Sequence, residues 1–301
     1  MDDKRLFIQF LHPGGEHKPD GLIKKWNKEN HQRKFLRRPG RYVADGKVKE
    51  ADILFWGEWE PESRVERKID APIFQGPHYV YEPYYVMPKS YDGLQNTDPF
   101  VFGEQFHYTF CHQSKAKLRH LSPGSVILFG SCNDHAFVLD TVFVVGDHWI
   151  DHTRVNRQRV LAQAISQEYE EVTISPMYQE PIVESKVCSQ ACLPARSQQA
   201  WRLYFGASHD KPLRSMYSFF PCEPYHAKSR GFARPNISLP DKTVDILSQN
   251  LSQNVKYAKE PATLDEMTSL WDRVAEQVEA QGLALGVYAE MPERCTDDPS
   301  I

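Results

Sequence analysis

No apolar run in this chain approaches the ~20 residues that a membrane-spanning helix needs. The segment after Met1-Asp2-Asp3-Lys4-Arg5 is too short to serve as a secretory signal. A cytoplasmic protein without a membrane partner is the expectation. Cysteine is sparse, with six residues at 111, 132, 188, 192, 222 and 295 and no paired CxxC set. That argues for reduced thiols and leaves a structural zinc without a second ligand pair. A P-loop, a GxGxxG after a strand, the kinase set, a GxSxG elbow and the zinc-deaminase signature are all missing. These absences argue against nucleotide-triphosphate hydrolysis, hydride transfer and serine hydrolysis. What remains is chemistry that a carboxylate, an asparagine and aromatic walls perform, and no metal or cofactor is expected.

The residues present describe a globular chain, 41% hydrophobic and 25% charged, long enough for a sizeable core. Leu6–Leu11 reads as a buried strand ending in the loop His12-Pro13-Gly14-Gly15-Glu16-His17. Ile53–Trp56 reads as a second, ending in Gly57-Glu58-Trp59-Glu60-Pro61-Glu62-Ser63. Pro39-Gly40 suggests a turn before a short strand at Arg41–Val43, and residues 126–131 and 137–145 suggest paired strands. Residues 153–169 suggest a helix, and Val172–Ile174, Trp201–Gly206 and Met216–Phe220 suggest strands. Thr263 and Glu266 form a capping box ahead of an apolar face made by Leu264, Met267, Trp271, Val274 and Val278. Leu283–Tyr288 reads as a closing strand. The expected architecture is one α+β unit over residues 1–301, β-rich with a mixed sheet and a C-terminal amphipathic helix. The Pro-rich connections near 170–200 are its only seam.

The two loops carry the candidate chemistry. If their strands lie side by side and parallel, both loops open on one sheet edge, where ligands bind in open α/β sheets. Glu16 and Glu58 are the candidate catalytic carboxylates, with Asn96 and Asp98 to contact a base or orient a water. Trp56 and Trp59 can stack on a flat ligand or plug the core. His12, Gly14, Gly15 and His17 can line the ligand, the glycines offering backbone N–H groups to a phosphate. His12, Glu16 and His17 also allow a metal reading, although the spacing matches no zincin motif.

The net charge of −4 hides an asymmetry: residues 18–49 hold eleven Lys/Arg against three acids, and residues 258–301 hold ten Asp/Glu against three bases. Trp26, Arg33, Lys34, Arg37 and Arg38 interleave bases with aromatics, as a nucleic-acid backbone contact does; a solvated surface is the alternative. His78, Tyr79 and Tyr81 form a candidate aromatic wall, which core packing would explain equally well.

Residues 121–147 resemble the small β-barrels of the PUA/ASCH/EVE type, which bind RNA or modified bases. The strand-borne carboxylate loop resembles those of uracil-DNA-glycosylase-like enzymes; Gly57-Glu58-Trp59-Glu60-Pro61 echoes one of their motifs, Gly-Glu-Ala-Pro-Gly. His-Pro-Gly-Gly-Glu-His and Trp-Gly-Glu-Trp-Glu-Pro are similar to motifs of an uncharacterised bacterial group associated with phage defence. These resemblances imply a base-processing protein, with DNA favoured over RNA as partner. Cleavage of the N-glycosidic bond of a modified base is the leading expectation. A non-catalytic modified-base reader and a metal-dependent nuclease are the alternatives.

Overall fold

A computed structural model of the chain describes residues 5–12, 14–133, 136–179, 199–239, 254–257 and 261–296. The strands, in chain order, are β1 (Phe7–His12), β2 (Ile23–Lys24), β3 (Lys34–Ala44), β4 (Lys47–Gly57), β5 (Ser63–Lys68), β6 (Tyr79–Val86) and β7 (His107–Tyr108). They continue with β8 (Val126–Asn133), β9 (Ala136–His152), β10 (Trp201–Gly206), β11 (Phe220–Pro224), β12 (Asn254–Tyr257), β13 (Ala284–Ala289) and β14 (Glu293–Cys295). The α-helices are α1 (Arg157–Leu161), α2 (Gln167–Tyr169), α3 (Ser175–Tyr178) and α4 (Leu264–Ala280). The fold is strand-rich α+β with mixed sheets and a C-terminal helix, as its sequence pattern predicts.

Two sheets form. One runs β12-β1-β8-β9-β10-β7; the other runs β13-β11-β4-β3-β6-β5-β2, with β14 beside β6. In the second sheet β13 also pairs back onto β3, so β3, β4, β11 and β13 close a ring. β1 lies between β8, parallel to it, and β12, antiparallel. All six of its residues are buried, because both its faces are covered. Alternate residues serve different cores: Ile8 and Phe10 join the layer containing Phe55 and Phe129, whereas Phe7 and Leu11 join the layer under α4. There Met267, Trp271, Val274 and Val278 are buried, each contributing about 1.5–3 kcal/mol of apolar transfer. Both halves of the Thr263/Glu266 capping box are made, which fixes the start of α4.

Several local expectations are corrected. β1 and β4 lie in different sheets, not side by side, although their C-terminal ends meet. Pro39 and Gly40 sit inside β3 rather than at a turn: a Cβ on Gly40 would come within 2.5 Å of the Tyr288 carbonyl oxygen, so glycine is what lets β13 cross there. The β-branched run Val172–Ile174 belongs to a π-helical turn between α2 and α3. The helix expected over 153–169 is two short pieces, α1 and α2, and Met216–Phe219 makes only isolated bridges before β11. The seam near 170–200 falls mostly on 180–198, which with Cys188, Cys192 and Pro13 lies outside the described residues.

Candidate functional site

The ends of β1 and β4 converge on a buried cluster of charge. After Gly57, Glu58 and Glu60 turn toward one side, while Trp59 between them turns into the core. Glu58 Oε1 lies 3.1 Å and Glu60 Oε1 3.0 Å from the same atom, His31 Nδ1. The other oxygen of each carboxylate has its own neighbour: Asn27 Nδ2 donates to Glu60 Oε2 at 2.6 Å, and Arg33 Nη1 stands 3.0 Å from Glu58 Oε2. The carboxylate side chains are 3% and 0% exposed, whereas His31 is 29% exposed, so the cluster reaches solvent at the His31 end.

Arg33 is the cation that holds this arrangement. It precedes β3, where backbone bonds with Gly15 and His17 fasten the Gly14–His17 loop alongside it. Its Nε donates to Asp140 Oδ2 at 2.7 Å and its Nη2 to His12 Nδ1 at 2.7 Å. Asp140 reaches Arg33 from a bulge: Phe129 pairs with Thr141 and Gly130 with Leu139, so the register skips it. A Cβ on Gly130 would lie 2.1 Å from the Val138 carbonyl oxygen, which makes glycine necessary at that bulge. Arg234 completes the pairing, donating to Ser131 Oγ, Asp140 Oδ1 and the Gly14 carbonyl.

The electrostatics follow from these contacts. Burial works against the Glu58 charge, but His31 and Arg33 hold its carboxyl well below the usual range. Burial alone would lower His31; the Glu58 and Glu60 charges outweigh it and raise the imidazole to about 11. His17, 3.9 Å from Glu60 Oε2, goes the other way, lowered to about 2 by burial and then by Lys34 and Lys24. Because a guanidinium only donates, neutral His12 accepts at Nδ1 and carries its proton on Nε2, which faces Cys111 Sγ at 3.0 Å. Among the described residues, two sets of donors lie close enough to share an ion, each within 4.8 Å: His31, Glu58 and Glu60, and His12, Cys111 and His112.

The residues expected from the sequence are sorted by this geometry. Glu58, His12 and Arg33 come together; His17 faces Glu60 from behind. Glu16 does not join them: its carboxylate accepts from the backbone of His78 and Tyr79 and from His78 Nδ1, so His12, Glu16 and His17 form no ligand set. Gly14 and Gly15 are exposed beside the cluster, but the Gly14 carbonyl is taken by Arg234. Asp98 is no solvent-facing base contact. It is 2% exposed and its carboxylate accepts three amides, from Thr109, Phe110 and Cys111, while burial pushes it up to about 7. Its role is to position the Thr109–His112 turn. Asn96 is likewise buried.

The stacking and phosphate-binding expectations are overturned. Trp56 and Trp59 are core, with indole N–H groups donating to Phe232 O, and to Glu62 O and Tyr84 O. Trp26 is buried against Tyr91, and Tyr81 donates to the His17 carbonyl from a fully buried position. Tyr79 is half-buried and His78 exposed, so only these two of the proposed wall meet solvent. The basic stretch is a strand whose cations are already paired. Lys34 is buried and donates to Pro61 O and Ser63 Oγ; Arg37 pairs with Asp52 and Glu66; Arg38 donates to Glu290 O and Met291 O. The groove around Arg37 and Arg38 is lined by five carboxylates, Asp52, Glu66, Glu82, Glu290 and Glu293, which would repel a phosphate.

Sequence reasoning gives no part in the site to His31, Asn27, Asp140, Cys111 or His112, and reads Arg234 only as one base of a loop, 221–235, that clamps the ligand. One signal was available: an aspartate inside the apolar run Phe137–Val145 has to be buried, and a buried acid needs a cation. Among the described residues no helix is long and apolar enough to cross a membrane. Compared with protein-family models, curated proteins and solved structures, the chain matches none.

Proposed function

We propose that the protein is a hydrolase of N-glycosidic bonds, acting on a nucleic-acid base or nucleoside, with Glu58 and Glu60 facing the reacting sugar. One observation carries this reading: two buried carboxylates converge through their Oε1 atoms on one imidazole nitrogen, His31 Nδ1, at the solvent-reaching end of the cluster. An oxocarbenium-like transition state gathers positive charge, and fixed negative charge in a dry site stabilises it strongly. A carboxylate held as far down as Glu58 is a poor base, so its part is electrostatic. His31 is the proton carrier. As positive charge grows on the sugar, the hold of His31 on its proton weakens. The C–N electron pair leaves with the base, which takes that proton; water then adds to the sugar carbon and returns a proton to His31.

The modified-base reader is less well supported, because its aromatic cage would need Trp56 and Trp59, which are packed in the core. Phosphate contacts, where the substrate has them, fall to exposed Lys18, Lys25 and Lys28, sequence neighbours of His17, Trp26 and Asn27.

The test is incubation of pure protein with plain and base-modified DNA and with the matching nucleosides. Released base is read by chromatography, and abasic sites by alkali and a denaturing gel. The expected result is free base, alkali-sensitive DNA, and at least a ~100-fold slower rate in Glu58→Gln. Strand breaks without alkali, or no base released from any substrate, would overturn the reading.

A further inference from the structure

Two carboxylates and one imidazole converge here on one another. His31 Nδ1 stands 3.1 Å from Glu58 Oε1 and 3.0 Å from Glu60 Oε1, and one nitrogen carries a single proton to share between them. Cis donors around an octahedral ion at about 2.1 Å lie about 3.0 Å apart, which matches both separations. The far oxygens are held as those of metal-bound carboxylates are, by outer partners that orient the ligand: Asn27 Nδ2 at 2.6 Å on Glu60 and Arg33 Nη1 at 3.0 Å on Glu58.

A second observation is independent of the trio. His17, 2% exposed, faces Glu60 Oε2 at 3.9 Å, and its Nε2 has no hydrogen-bond partner. A ring nitrogen left unpaired and buried beside a carboxylate is costly unless something else completes the site.

We infer that His31 Nδ1, Glu58 Oε1 and Glu60 Oε1 bind a divalent transition-metal ion of the Mn2+, Fe2+ or Zn2+ class. One imidazole and two carboxylates suit these borderline ions better than a soft, thiolate-seeking one. Three protein ligands, with His31 29% exposed, leave open positions toward solvent, the pattern of a working rather than a structural site. An ion on these three atoms displaces the proton from His31 Nδ1, so the metal-bound and proton-carrying forms of the site exclude one another. Ion binding goes beyond that reading and is measured without any substrate, so either can fail alone.

The experiment strips the full chain with chelator, dialyses it, and titrates it with Mn2+ and separately with Zn2+ by calorimetry. Elemental analysis after gel filtration gives the ion content. The wild type is expected to retain a single ion per chain. Glu60→Gln and His31→Gln should each weaken binding at least ~10-fold, and Asn27→Ala, which keeps every donor, by about 10- to 100-fold. Circular dichroism checks folding; His31→Gln, at a partly exposed position, and Asn27→Ala carry the result if Glu60→Gln does not fold. Cys111→Ser should bind as the wild type does. No retained ion, wild-type binding in both Glu60→Gln and His31→Gln, or loss on Cys111→Ser would overturn the proposal. The last outcome would move the ion to His12, Cys111 and His112.

Discussion

β3 and the residue before it carry cations toward two different settings. At one end Arg33 and Lys34 are 1% and 0% exposed, and their donors are spent on Glu58, Asp140, His12, Pro61 O and Ser63. Four residues on, Arg37 is 32% exposed between Asp52 and Glu66, with its guanidinium over the Tyr225 ring. In sequence both are basic residues among aromatics, and both end up in ion pairs. They differ in how much water has been removed. A dry charge depends on its partner, because no solvent replaces it; a wet one does not. The candidate site is therefore at the dry end, where the pairs can fix geometry and shift protonation.

The largest expected effect tests that dependence. Arg33→Met leaves Glu58 without its guanidinium and removes one of the two cations on Asp140. Breaking a buried pair from one side costs about 3–5 kcal/mol, to be read from urea unfolding at neutral pH. A loss below about 1 kcal/mol would mean that the dry and wet settings are energetically alike.

Lys34 sharpens the same contrast through pH. Burial lowers it from 10.5 to about 7, with Glu60 and Glu62 pulling back upward. The folded state then binds fewer protons than the unfolded state between those values, so stability rises with pH across that window. Below about 7 the cost of burying the charged lysine is fully present. Wild type should gain stability relative to Lys34→Met as pH goes from 7 toward 10, measured as the shift in urea midpoint. Parallel pH curves for the two proteins would show that Lys34 stays charged in the fold.

How much of this could be read from the chain depends on how local the cause is. The capping box of α4 and the hairpin of β8 and β9 are set by neighbours in sequence, and both are where the pattern puts them. Glu58 was legible because it follows an apolar strand directly. Trp56 and Trp59 were not, since an aromatic beside a strand end looks the same whether it faces a ligand or the opposite sheet. Trp56 is held by Phe232 and Trp59 by Tyr84, partners 176 and 25 residues away. The basic stretch failed for the same reason: its counter-charges, Asp140, Glu66 and the Glu290 region, are distant in sequence. His31 and Asn27 lie in a short polar loop without periodicity, and only the folding of that loop over Glu58 and Glu60 gives them a role.

The smallest expected effect is at the wet position, Arg37. Arg37 has two carboxylate partners and a ring beneath it, so by contact count alone it would rank with Arg33. Its partners are also partly solvated, Asp52 at 37% and Glu66 at 23%, so water and salt can replace much of what it supplies. The Arg37–Asp52 coupling in a double-mutant cycle with alanine should fall at about 0.2–1 kcal/mol and shrink in high salt. What Arg37→Ala costs beyond that coupling belongs to the stem and the Tyr225 contact, which salt should leave in place. A coupling above about 2 kcal/mol that survives salt would place Arg37 among the dry pairs, and burial would no longer separate the two settings.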